Sequence, residues 1–179
     1  REVGAWVEFP SSYLVVDLET TGFSKTNDYI IDIGWAVVKD NRIVHNSGMM
    51  LDWRQTPGAS TEYIQDALAK QAASYSQNGR PHFYPYERLC EEGVNPIEAL
   101  HALATLIYDY VWKQPGWVVG HGLWRFDRSF IDSHFAEYLN GYAVNWHPNS
   151  TFDTGLLEKA CQLDVRPWTT DTLDSYFSR

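Results

Sequence analysis

An α/β fold built on a mixed sheet is predicted by three features of this sequence. The run Tyr13-Leu14-Val15-Val16-Asp17-Leu18-Glu19 is apolar and β-prone, and it stops at Thr20-Thr21-Gly22, as a buried central strand does. Two more strand-like runs follow at once, so the first three elements read as an antiparallel meander. Helical periods and short apolar strands then alternate. The order βββ-α-β-α-β-α means antiparallel and parallel strands in one sheet, flanked by helices.

Each element has a local cause. Residues 30–38 form the second strand, and Lys39-Asp40-Asn41-Arg42 is a tight turn in which Asp and Asn accept positive φ. Residues 43–45 and 49–51 read as a third strand, broken near Gly48. Ser60 or Thr61 caps a helix through Ile64, Leu68 and Ala72 that ends before Asn78-Gly79. Residues 80–85 read as loop, and the segment 80–92 as a whole is either a substrate-facing loop or a plain connection. Asn95 caps a stronger helix, with Pro96 first and Glu98 third, whose apolar positions follow the helical period until Pro115-Gly116. Trp117-Val118-Val119-Gly120 is a short buried strand, expected beside the first strand and parallel to it. A helix over residues 125–139 is stopped by Asn140-Gly141. Thr151-Phe152 is a last short strand, and residues 156–161 and 173–177 read as helical pieces.

Composition narrows the function. A chain of 179 residues suits one domain, and 44% apolar residues exclude a disordered chain. Lys+Arg 14 against Asp+Glu 23 gives a net charge of -9, which excludes a binder held to phosphates by bulk attraction. An acidic site neutralised locally by metal ions is compatible with that charge. No run is long enough to span a bilayer, residues 1–10 lack a signal-peptide pattern, and Cys90 and Cys161 form no metal-type spacing. The expected compartment is cytoplasmic, with no membrane partner.

Asp17 and Glu19 stand two apart in a strand, so their side chains share one face. Unpaired charge is costly there, and a divalent ion is the cheapest remedy. Oxygen-only ligands favour Mg²⁺ or Mn²⁺. Two solvated acids at a strand end are the bland alternative. The adjoining Thr20-Thr21-Gly22 weighs against it, because hydroxyls and free N–H groups beside paired acids make a cradle for a substrate oxygen. The second constellation runs from Val118 to Asp127: a buried strand, a glycine-containing turn and an acid in the first turns of a helix. Alone it is weak; paired with the first it is strong. Phe23 and Trp124 lie beside these motifs, placed either to stack on bases or, the stronger expectation, to fill the core half-buried. Arg125 and Arg128 flank Asp127 as phosphate contacts or plain exposed residues.

Asp17-Leu18-Glu19-Thr20-Thr21-Gly22 resembles the first motif of the DEDD-type (DnaQ-like) 3′→5′ exonucleases. Ile30-Ile31-Asp32-Ile33-Gly34 resembles the second-strand signature that follows it, and Gly120-His121 to Phe126-Asp127 resembles the second motif. Phe152-Asp153-Thr154 and Thr172-Leu173-Asp174-Ser175 resemble segments leading to the third. The resemblance covers nearly the whole chain in the family's order and is closest to the branch containing the proofreading epsilon subunit of bacterial DNA polymerase III and RNase T. It implies a ribonuclease H-like fold and hydrolysis that releases 5′-mononucleotides from single-stranded DNA or RNA 3′ ends. It also implies two Mg²⁺ or Mn²⁺ ions in the complete site. Asp17, Glu19 and Asp127 match three of the four metal-binding acids. Leu18, Thr20, Thr21, Gly22, Trp124 and Phe126 fall where substrate is held. A DNA polymerase or another replication protein is the implied partner.

The chain departs from that pattern in three places. Gly122 replaces the usual Asn, and Asp32 stands where Glu is more usual. The third motif, a His or Tyr ahead of a last Asp, is absent. Asp153, Asp164, Asp171 and Asp174 lack the required His or Tyr spacing. The expectation is therefore one exonuclease-like domain over residues 1–179, truncated before its third motif. A catalytically impaired nuclease-fold module that binds nucleic acid or a polymerase is the competing reading.

Overall fold

A computed structural model describes residues 10–79, 84–111, 116–146 and 150–157. Five strands form one sheet: β1 (Tyr13–Thr20), β2 (Ile30–Lys39), β3 (Arg42–Met50), β4 (Trp117–Gly120) and β5 (Thr151–Asp153), in the order β3-β2-β1-β4-β5. β1 is central, antiparallel to β2 and parallel to β4. β2 and β3 complete the meander, and β5 lies parallel to β4 on the far side. The mixed sheet expected from the element order is the sheet observed.

The helices are α1 (Thr61–Gln77), α2 (Tyr86–Glu92), α3 (Pro96–Val111) and α4 (Asp127–Tyr138). Ser60 is the cap of α1, its hydroxyl accepting from Tyr63 N. The Asn95 side chain accepts from Ile97 N and Glu98 N, as its cap position demands. α4 ends with Asn140 at φ 53 and Gly141 at φ 79, and Gly141 N–H donates to Ala136 O. α3 packs on β1 and β4, and α4 on β1 and α3. Between sheet and helices lie Leu14, Val16 and Leu18 of β1, Leu100, Leu103 and Ile107 of α3, and Phe130, Ile131 and Phe135 of α4.

Three local readings are corrected. β3 is continuous through Gly48, which pairs with Gly34; the irregularity lies instead at Val44, the extra residue between the pairs Val38–Ile43 and Val37–His45. Backbone pairing to β2 on one side suffices to carry a glycine through the strand. Tyr86–Glu92 is a helix, not loop: it is too short for a legible period, and the burial of Leu89 supports it. α4 begins at Asp127 rather than Arg125, because a turn over Gly122–Phe126 comes first, closed by Arg125 N and Phe126 N donating to Gly122 O. The helical pieces read over residues 156–161 and 173–177 fall, beyond Leu157, outside the described residues.

Candidate active site

The face of β1 carrying odd-numbered residues builds the candidate site. Even positions Leu14, Val16 and Leu18 go into the core, which leaves Asp17 and Glu19 together on the other face at the end of the strand. Glu19 lies directly opposite Asp32 of β2, and Asp17 lies opposite Gly34. Gly34 in turn pairs with Gly48 of β3. A Cβ at Gly34 would meet its nearest atom, Asp17 O, at 3.7 Å, so the backbone does not demand glycine. What the two glycines do is leave the sheet bare beside Asp17.

Asp127 arrives from the other side. β4 delivers the chain to Gly122, whose φ of +74 is the left-handed conformation that favours glycine and, next, asparagine. Gly122 takes that conformation at no steric cost. The turn starts α4 with Asp127 as its first residue, 1% exposed. Asp127 Oδ1 accepts from Leu18 N at 3.0 Å, across 109 residues of chain. Its Oδ2 is buried and has no hydrogen-bond partner among the described residues.

Crowded acids shift one another. Burial raises Asp127 to about 7, and repulsion from Asp17 adds to this; the Leu18 N–H opposes it. Asp17 is raised by desolvation, then by Asp32, while nearby His121 pulls it down. Glu19 is raised by desolvation, then by Asp17 and Asp32. The shifts tie Asp17 electrostatically to Glu19, Asp32 and Asp127. Among the described residues no three acid or imidazole side chains stand close enough to form a ready coordination shell. An orphaned buried oxygen and a set of acids starved of positive charge are what a hard divalent cation would relieve, so the donors present fit one.

Other predicted residues have duties the sequence did not show. Thr20 Oγ1 donates to Gly22 O, and Thr21 Oγ1 donates to Asp28 and accepts from Tyr29 N. Their hydroxyls brace the loop after β1. Gly22 is needed there, since a Cβ would fall 2.6 Å from Asp28 Oδ2. The Leu18 side chain is in the core, and only its backbone reaches the site. One face of the Trp124 ring is covered by the Arg128 guanidinium, 4.5 Å from its centroid. Phe23 is 93% exposed, against the expected half-buried place, and meets Phe126 edge-on at 6.0 Å. Asp153 accepts from Gly122 N, Trp124 N, Gly155 N and Leu156 N. Its carboxylate is a clamp for the turn. His121 Nδ1 is hydrogen-bonded with Thr154 Oγ1. Asp164, Asp171 and Asp174 lie outside the described residues.

Sequence reasoning missed Tyr84. Its hydroxyl donates to Asp32 Oδ2 at 3.0 Å, and burial first, then the charges of Asp32, Glu19 and Asp17, push its ionisation upward. No local signal points to a lone Tyr in a connecting segment; only the register of Asp32 with Glu19 marks it.

Comparison with known proteins places this fold. The metal-free form of the E. coli exonuclease I–ssDNA complex superposes with a TM-score of 0.61 at 16% identity, over 90% of this chain and 32% of that one. A product-bound exonuclease I gives 0.60 at 14% identity over 89% and 34%, and a zinc-bound E. coli exonuclease I–ssDNA complex gives 0.57 at 17% over 90% and 32%. A 44-residue stretch, 25% of this chain, is 48% identical to 3% of the PolC-type DNA polymerase III of Clostridium perfringens (strain 13 / Type A). No family model matches. The chain spans about a third of the exonuclease I chains it resembles. It shares their fold: a mixed five-stranded sheet flanked by helices. No helix among the described residues is long and apolar enough to cross a membrane.

Proposed function

We propose that this chain is a metal-dependent exonuclease domain that removes 5′-mononucleotides from the 3′ ends of single-stranded DNA or RNA. One observation carries the reading: Asp127, distant in sequence, is buried against Leu18 beside Asp17 with one oxygen unsatisfied. A structural acid would be paired on both oxygens. The nuclease fold of the exonuclease I structures supports the same conclusion.

Asp17, Glu19 and Asp127 would hold Mg²⁺ or Mn²⁺, two ions in the complete site. A bound ion of this kind lowers the pKa of a water and offsets charge building on a phosphoryl oxygen. The reaction is hydrolysis: a water oxygen bonds to the terminal phosphorus, the bond to O3′ breaks, and O3′ leaves with a proton. The protein's own part is positional. The Leu18 N–H fixes Asp127 Oδ1, and the Tyr84 hydroxyl fixes Asp32. Phe23 and Phe126 offer an aromatic ledge for a terminal base, a contact tolerant of sequence. The hydroxyls of Thr20 and Thr21 act through the loop they hold, and Gly22 acts through the close approach to Asp28 that it permits.

The test is a 3′-end ladder on labelled single-stranded DNA and RNA, with Mg²⁺, Mn²⁺ or chelator. Release of mononucleotides that stops in chelator and in Asp17→Ala or Glu19→Ala is the expected outcome. Release that survives Asp17→Ala overturns the reading. Binding of the strand with no release in any metal points to a nuclease-fold binding module instead.

A further inference from the structure

A groove of about 450 Å³ lies between the loop after β1 and the outer side of α4, lined by Lys25, Trp124, Arg128, Ser129, Asp132 and Ser133. The chain links it to the aromatic ledge: Lys25 is two residues beyond Phe23, and Arg128 is two beyond Phe126. Asp127 faces inward to β1 while its neighbour Arg128 lines this groove.

Arg128 is held before any ligand arrives. Its guanidinium lies over the Trp124 ring at 4.5 Å and 6.0 Å from the Trp146 ring, and its Nε is 3.4 Å from Asp132 Oδ2. Asp132 is anchored in turn, its Oδ1 accepting from Trp146 Nε1 at 2.6 Å. A guanidinium fixed by an indole face and one carboxylate oxygen gives up little side-chain freedom when its remaining N–H groups bind an anion. Lys25, from the loop after β1, is exposed and also lines the groove. The groove thus holds two cations, Lys25 and Arg128, against one acid, Asp132, in a chain of net charge -9. That local excess offers a polyanion a foothold on an otherwise acidic protein.

We propose that this groove carries the sugar–phosphate backbone of a single strand on the 5′ side of its terminal nucleotide, with Lys25 and Arg128 contacting its phosphates. The proposal rests on the exonuclease reading for the direction of the strand. It adds the path by which the 3′ end reaches the acids: along α4, over Phe23 and Phe126, then down to Asp17. The ligand class is a single-stranded polynucleotide of at least several nucleotides. A mononucleotide is too short to reach the groove.

The experiment measures binding of a fluorescent dinucleotide and octanucleotide by anisotropy, over a series of salt concentrations in Mn²⁺, with cleavage followed on the same samples. The proteins are the wild-type chain, Lys25→Ala, Lys25→Ala with Arg128→Gln, and a control, Arg42→Gln, at the exposed first residue of β3. The wild-type chain gains affinity from dinucleotide to octanucleotide. The double variant loses that gain on the order of tenfold, and its log-affinity slope against log salt flattens by about 0.7 per cation removed. Lys25→Ala, on an exposed loop, shows half the flattening with no question of folding. Arg42→Gln matches the wild type. An equal slope in wild type and both groove variants overturns the groove proposal, and if mononucleotides are still released the exonuclease reading stands. A flattened slope with no release in any metal upholds the groove and overturns the exonuclease reading. Octanucleotide binding no tighter than dinucleotide binding in the wild type overturns the groove.

Discussion

Asp153 and Asp127 are two buried carboxylates on either side of one turn, and they have opposite characters. Asp153, at the end of β5, takes four backbone N–H groups, three on Oδ1 and one on Oδ2. Asp127, at the start of α4, takes one from Leu18 and leaves Oδ2 unpaired. The first holds the chain between β4 and α4 in shape. The second is raised to about 7 by its burial and by Asp17. A fully satisfied acid has nothing left for a ligand; a half-satisfied one costs stability until a cation or proton arrives. The loop after β1 repeats the contrast, because Asp28 accepts from Thr21 Oγ1, Ser24 N and Tyr63 Oη. Acids that shape turns are saturated with donors, whereas those of the candidate site are short of them.

The most direct way to break this contrast is to remove the saturated acid. Asp153→Ala removes the acceptor of four part-buried N–H groups and should destabilise the fold by on the order of 3 kcal/mol. Guanidinium titration of the variant checks this, and a loss under 1 kcal/mol would deny Asp153 its structural role.

Asp127→Asn should act in the opposite sense. The folded carboxyl binds its proton at about 7 and the unfolded one near 3.8, so its charge costs stability above pH 7 and the cost fades as pH falls toward 4. The metal-free variant should be more stable than the wild type by up to about 4 kcal/mol at pH 8, and equal to it near pH 4. Nucleotide release should be lost in the same variant. Melting curves of both proteins in chelator across that range decide it.

His134 supplies the next effect, with the reverse pH dependence. Its Nδ1–H donates to Phe130 O and its Nε2 accepts from Ile30 N, and burial lowers it to about 4. The unfolded chain takes a proton near 6.5 and the folded one does not, so stability falls from pH 6.5 to 4, by roughly 3 kcal/mol in all. In the Asp127→Asn background this fall is free of the opposing carboxyl. An imidazole resonance titrating near 6.5 in the folded protein would exclude it.

Tyr84→Phe is the smallest change. It removes one donor from Asp32, which is raised mainly by burial and lowered by this bond. A loss of about 1 kcal/mol and a further rise of the Asp32 carboxyl are expected, read by melting and by carboxyl NMR. No change in either would mean that Tyr84 does not hold Asp32 in solution.

Much of this molecule follows from local chemistry. Strand alternation places Asp17 and Glu19 on one face because the pleat has period two. Ser60, Asn95 and Asn140-Gly141 mark helix ends because a helix terminus needs a side-chain acceptor or a left-handed residue wherever it occurs. The mixed sheet follows from the order of such elements. The surroundings of Asp127, Asp153, Phe23 and Tyr84 were decided only by tertiary structure. Asp127 and Asp153 are the same residue type near neighbouring strand ends, and their difference is the number of N–H groups that distant segments bring to each. Phe23 reads as a core residue by hydrophobicity, yet the loop tied to Asp28 holds it in solvent beside Phe126. Tyr84 matters because β2 pairs Asp32 with Glu19, a register set between strands. Periodicity and capping are properties of neighbours along the chain; desolvation, donor supply and charge repulsion are properties of neighbours in space.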